Sequence, residues 1–186
     1  MENRGLIVYR STRLLVDESV SSQSLKEGQI VIIAHEVAHQ WFGNLVSPSF
    51  WDDLWLNEAF ASWMAYLGAN RVQPGYNVMS LKVGAIADVL FADASIFTPR
   101  VRPLNFSGDP TMILASFSSI TYQKGMGVVN TVANYMAQTA FLQAIGDYLD
   151  RYAFGTADSE QLAAVLAEYE EEVCRQFVIF WNRDTL

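Results

Sequence analysis

The sequence predicts an α+β fold that is mostly helical, with a small β element at its N-terminus. Three observations carry this. Apolar residues recur at helical spacing from about Leu25 onward. Two short β-prone runs, residues 6–9 and 14–16, stand before that point. Hydrophobic residues make up 51% of the 186-residue chain and charged ones only 17%, which supplies a core and excludes a disordered chain.

The elements follow in order. The two β-prone runs flank Ser11 and Thr12 and read as a hairpin or a pair of edge strands. A serine-rich connector, residues 19–24, leads into a helix from about Leu25. That helix runs through Ile30, Ile33, Ala34, Val37, Ala38 and Trp41, with Gly43 and Asn44 as terminators. Its apolar residues Val31, Ile32, Ile33, Ala34, Val37 and Ala38 predict that it is buried. Pro48 lies in a loop. A second helix starts near Asp52 or Asp53, whose charges suit the positive end of a helix, and passes through Trp55, Phe60, Trp63 and Leu67 to an end near Gly68.

Beyond Pro74 the pattern is helical except over residues 95–110, where three prolines and Gly108 predict a long surface connection. Further helices are predicted over 119–137, 141–154, 158–168 and 171–181. Asp158 and Gln161 have the spacing of a capping box. The acidic run at 168–172 reads as a solvated helix face, and no internal repeat is present.

Several function classes drop out. Twelve basic residues face twenty acidic ones, a net charge of −8, which leaves no basic face for nucleic acid or an anionic membrane surface. Residues 125–146 carry no charge, but Asn130, Asn134, Gln138 and Gln143 interrupt them, while Val128, Val132, Tyr135 and Met136 recur at helical spacing. They predict an amphipathic helix on a protein core, not a membrane span. The single cysteine, Cys174, precludes an internal disulfide. Residues 1–10 contain Glu2, Asn3, Arg4 and Arg10, which is not the pattern of a signal peptide.

The chain has two histidines, and both fall in one pentapeptide, His35-Glu36-Val37-Ala38-His39. Histidines four apart project from one helix face, so two imidazoles can bind one Zn2+ without bending the backbone. Glu36 between them is placed to take a proton from water that zinc acidifies. A hydrolytic zinc site needs a third protein ligand, and with no histidine left it must be a carboxylate. Glu58 follows His39 with 18 residues between, a length that fits a helix end, a loop and a returning helix. Asp52 and Asp53 are the alternatives, although capping of the second helix accounts for them.

The runs His35-Glu-Val-Ala-His-Gln-Trp-Phe-Gly-Asn-Leu-Val46 and Trp51-Asp-Asp-Leu-Trp-Leu-Asn-Glu58 resemble the M1 family of zinc aminopeptidases, which are gluzincins. The family pattern, H-E-x-x-H followed after 18 residues by E, is matched with its flanks. The resemblance implies a thermolysin-like zinc metallopeptidase catalytic domain over residues 1–186, with one Zn2+ on His35, His39 and Glu58, and Glu36 as general base. The opening Met1-Glu2-Asn3 is similar to the end of the family's Gly-Ala-Met-Glu-Asn strand, which implies that Glu2 binds the free α-amine of the substrate. Ile120-Thr121-Tyr122-Gln123-Lys124-Gly125 resembles the family's I-S-Y-x-K-G segment, which implies that the Tyr122 hydroxyl stabilises the oxyanion.

Ala59 stands where the family usually has glycine, and Ser118 where it often has an acid. The family's N-terminal β domain and C-terminal helical domain have no counterpart in these residues. The resemblance therefore implies peptide substrates with a free N-terminus, partnership with those further domains, and no nucleic acid. Members are plasma-membrane ectoenzymes or cytoplasmic. The competing expectation is a zinc- or peptide-binding fragment without useful catalysis.

Overall fold

The structure is a computed structural model that describes residues 1–17, 19–93, 101, 109–170 and 172. The surface connection expected over 95–110 and the helix expected over 171–181 lie largely outside the described residues.

The body is helical, as expected. A one-turn helix α1 (Ser11–Leu14) precedes α2 (Gln23–Ala38). The Ser22 hydroxyl accepts the Leu25 amide and caps the start of α2. A short strand β1 (Val46–Pro48) and a 3-10 turn (Trp51–Asp53) lead to α3 (Trp55–Val72), which buries more residues than any other element here. Next come α4 (Val78–Asp93), α5 (Pro110–Ser116), a π-helical turn (Ile120–Lys124), α6 (Gly125–Tyr135) and α7 (Gln138–Arg151). Strand β2 (Gly155–Ala157) and α8 (Ser159–Tyr169) complete the described elements. The capping box is present: the Gln161 amide donates to Asp158 Oδ1 at 2.8 Å, and the Asp158 amide to Gln161 Oε1 at 2.9 Å.

The N-terminal β element is not formed. Residues 6–9 and 14–16 do not pair as strands. The chain folds back at Gly5, where φ is +78°, and the Val8 amide donates to the Met1 carbonyl. Side chains then tie this segment lengthwise to α2. The Tyr9 hydroxyl donates to the Ile33 carbonyl, and Gln29 Nε2 to the Leu15 carbonyl. The second bond satisfies the Leu15 carbonyl, a group that a strand partner would otherwise take. The sheet found among the described residues lies elsewhere: β1 and β2 pair in parallel, Val46 opposite Gly155 and Pro48 opposite Ala157.

Two helices differ from expectation in extent. Helix α3 runs past Gly68 to Val72, just before Pro74. The long helix expected over 119–137 is a π turn followed by α6, and the chain breaks at Ala137, where φ is +65°. Nor is α2 buried on all sides. Ala38 is buried, but Val31, Ile32, Ile33 and Ala34 are half-buried and Val37 is exposed. Helix α3 covers one side of α2. Between α2, α3 and α7 lies an apolar groove of about 500 Å3, lined by Ile33, Val37, Trp41, Met64, Ile145 and Leu149. Among the described residues no helix is long and apolar enough to cross a membrane.

The core is built on aromatic side chains behind α3. Phe60 stacks between Phe42 (centroids 4.9 Å apart) and Phe141 (6.4 Å), and Trp63 meets Phe141 edge-on at 5.2 Å. Lys82 of α4 is buried against this layer. Its Nζ donates to Asn130 Oδ1 of α6 and lies 5.9 Å from the Trp63 ring centroid.

Phe141→Ala opens a cavity inside that stack and should lower the unfolding free energy in urea by about 3–5 kcal/mol. Its neighbour Leu142 is 42% exposed, so Leu142→Ala should cost about 1 kcal/mol or less. Equal losses for the two variants would contradict this placement of the core.

Candidate metal centre

Helix α2 presents His35 and His39 one turn apart, and the first turn of α3 brings Glu58 against them. The two Nε2 atoms lie 2.9 Å apart, and Glu58 Oε2 lies 3.3 Å from each. Among the described residues this is the one cluster of three such side chains whose ligand atoms converge closely enough to hold a metal ion.

The protonation of His39 follows from its partners. Its Nδ1 faces the Phe42 carbonyl at 3.0 Å and Asn57 Oδ1 at 2.7 Å, both acceptors. Nδ1 therefore carries the proton of the neutral ring, whose Nε2 lone pair faces His35 and Glu58; in the charged ring an Nε2 proton faces Glu58 instead. Glu58 Oε2 is buried and has no aligned donor. A buried, orphaned carboxylate oxygen beside a ring lone pair is a donor set that a cation satisfies, and two nitrogens with one oxygen suit zinc. Burial alone would raise the Glu58 carboxyl, but the two imidazoles outweigh it and hold the group down at about 2. Burial likewise works to lower His39, and the Glu58 carboxylate overcomes it and raises the ring above its ordinary 6.5.

Asn57, Ser62 and Gly43 are functional neighbours that the sequence reading did not single out. Asn57 precedes the candidate ligand in α3 and holds His39. Ser62, one turn beyond Glu58, places its hydroxyl 3.4 Å from His35 Nδ1. Gly43 was read only as a helix terminator. Its φ is +114°, and a Cβ there would collide with the Asn57 carboxamide. The signal was available for the first two: a helix that supplies a metal ligand also supplies that ligand's neighbours from the same face.

The other expected residues surround the cluster. The Met1 α-ammonium donates to Glu36 Oε2 at 3.0 Å and lies 3.9 Å from Glu2 Oε2, so one amine reaches both carboxylates. The backbone carbonyl of Glu2 accepts from Gln40 Nε2 at 3.2 Å and from Asn44 Nδ2, which moors it beside the end of α2. The Tyr122 ring stacks on that of His35 at 6.0 Å. Burial, then the charge of Glu58 and a hydrogen bond to its carboxylate, then the charges of Glu2 and Glu36, push its hydroxyl far above the usual phenol value, so it stays a neutral donor. Asp53 is not in the cluster. It accepts from the Ser159 hydroxyl at the start of α8. Lys124 pairs with Asp93 of α4 at 2.7 Å.

A sequence profile described as the Peptidase family M1 domain matches residues 1–181. Aminopeptidase N of Bos taurus is 42% identical over 156 residues, 83% of this chain and 16% of that protein. Aminopeptidase M1-B of Oryza sativa subsp. japonica is 38% identical over 184 residues, 98% of this chain and 21% of that protein. Human aminopeptidase N is 41% identical over 156 residues, again 83% of this chain. The chain thus spans 16% to 21% of the length of these curated relatives.

Two outcomes are expected from this geometry. Asn57→Ala frees the His39 ring and should weaken metal binding about 10–100-fold in competition with a chromogenic chelator. In chelator-treated protein the Glu58–histidine pairing contributes stability that is full above pH 4.5, the ordinary Glu58 value, and is lost as pH falls through about 2. The raised His39 contributes below 6.5 and loses its share as pH rises through its higher folded value. Melting temperature should therefore be highest between pH 4.5 and 6.5 and fall on acidification more steeply than in Glu58→Gln. Parallel acid profiles for the two proteins would remove the pairing from the account.

Proposed function

The chain belongs to peptidase family M1, and we propose that it is a zinc-dependent aminopeptidase. In this reading residues 1–186 form a thermolysin-like catalytic domain that removes one N-terminal residue from a peptide at each turnover. The observation that carries the proposal is the convergence of His35 Nε2, His39 Nε2 and the orphaned Glu58 Oε2, ringed by Glu36, Glu2 and Tyr122.

His35, His39 and Glu58 would hold the zinc. Bound there, Zn2+ supplies a Lewis acid that polarises the scissile carbonyl and acidifies water. The chain's own groups do the rest. Glu36 accepts the proton of the attacking water as its oxygen bonds to the carbonyl carbon. It then gives that proton to the departing nitrogen as the carbon–nitrogen bond breaks. The Tyr122 hydroxyl donates to the oxygen on which negative charge develops, and burial keeps it a neutral donor aimed from a fixed turn. Glu2 binds the substrate's α-ammonium, which restricts attack to the first peptide bond. In support, Gln40 and Asn44 hold the Glu2 backbone beside the end of the helix that carries His35 and His39. A carboxylate favours the charged amine over an acylated one.

A second reading, zinc and peptide binding without turnover, draws on the small share of its relatives' length that the chain spans. One assay separates the two. The zinc-loaded chain is offered an amino-acid anilide with a free amine and its N-acetyl twin. Cleavage of the free form alone supports the proposal, whereas bound zinc with neither cleaved supports the second reading. Glu36→Gln should lower kcat about 10²–10⁴-fold while zinc stoichiometry stays at one per chain. Normal turnover in that variant would sink the general-base assignment.

A further inference from the structure

Helices α3 and α6 meet at Ala59 and Gly125 so closely that only one of the two positions has room for a methyl group. A Cβ on Gly125 would lie 2.7 Å from the Ala59 Cβ and 3.5 Å from Val101 Cγ1. Carbon atoms do not approach to 2.7 Å, and neither side can yield locally. Ala59 has no rotamer to change, it is fully buried, and helix backbone carries both residues. Backbone conformation does not ask for glycine here, since Gly125 has φ −55° and ψ −46°, open to any residue. Glycine at a helical position is less favourable than alanine. Its presence therefore points to the space it leaves.

That contact sits between two groups of the proposed site. Ala59 directly follows Glu58. Gly125 closes the π turn that carries Tyr122, its amide donating to the Ile120 and Tyr122 carbonyls. The turn is also tied away from the site, by Thr121 Oγ1 to the Ser116 carbonyl and by Lys124 to Asp93. Tyr122 is thus held by a turn that meets the Glu58 helix where a glycine faces a methyl. Extra π-helical residues are a common device for aiming a side chain at a functional site.

We propose that the Ala59–Gly125 contact is the spacer that fixes the Tyr122 hydroxyl relative to the His35–His39–Glu58 cluster, which makes Ala59 and Gly125 positioning residues for the reaction. The inference rests on the oxyanion role given to Tyr122 above. A methyl added at Gly125 drives α6 from α3 and carries Tyr122 off its mark. Removing the Ala59 methyl in the same protein lets the helices return.

The test uses zinc-loaded protein with 3-fluorotyrosine placed at position 122 and read by 19F NMR. Gly125→Ala should move that resonance and lower kcat for the free-amine anilide about 10–100-fold, with KM and zinc stoichiometry unchanged. Ala59→Gly in the Gly125→Ala background should return both the resonance and kcat. A folded Gly125→Ala protein with neither changed overturns the proposal, and so does a change that Ala59→Gly does not reverse. Packing without positioning would move the melting temperature and leave the resonance and kcat in place. Should Gly125→Ala not fold, Ala59→Gly alone is read. It should move the resonance, and an unmoved one again overturns the spacer. If the wild-type chain cleaves nothing, the aminopeptidase reading fails, while the resonance still decides the spacer.

Discussion

The structure depends on one buried carboxylate. Glu58 lies on the first turn of α3 with an oxygen that no donor satisfies, 3.3 Å from two imidazole nitrogens. Isolated in a protein interior, such a group would be expelled or protonated. Here the two histidines keep it ionised, and Asn57 fixes the tautomer of one of them. A cation completes the arrangement where a proton would otherwise have to be shared. On grounds of charge and hydrogen bonding alone, the cluster is one that could hold a metal ion.

Helix α3 sets the geometry around that group. Over its first two turns it carries Asn57 for His39, Glu58 for the cluster, Ala59 for the contact with α6, and Ser62 for His35. The next residues on its buried side, Phe60 and Trp63, anchor in the aromatic stack with Phe42 and Phe141. The side chains that touch the cluster and those that hold the helix in place thus alternate along one rigid rod. An error of packing in the stack is transmitted to the site with little loss, because a close-packed interior does not deform smoothly.

What the sequence made legible follows from how local each signal is. The histidine pair, the capping box at Asp158 and the helical periods from Leu25 onward are decided within one or two turns, and the structure contains them. Glu58 was reachable because the site chemistry demanded a carboxylate and few candidates stood at a suitable distance. The parallel pairing of residues 46–48 with 155–157 was not legible. Three-residue strands joined across that separation leave no period to detect. Residues 6–9 and 14–16 have strand propensity, but the segment is tied to α2 through the Tyr9 hydroxyl and the Gln29 carboxamide, so tertiary contact overrides propensity. Gly68 looked like a terminator because the sequence does not show that Pro74 is what ends the helix.

Three carboxylates around one small site would ordinarily repel, in a chain that already carries a net charge of −8. Their surroundings separate them into different tasks. Glu58 is buried and neutralised by imidazoles, so it faces inward towards the cluster. Glu2 and Glu36 are less buried, and both lie within reach of the Met1 ammonium on the open side. Tyr122 stands within the field of all three and responds in the one way open to it, by holding its proton. The carboxylates that make the open side attractive to an ammonium thus add to the burial that holds the proton on the tyrosine. One electrostatic arrangement can therefore select a free N-terminus and stabilise the oxyanion in the proposed reaction.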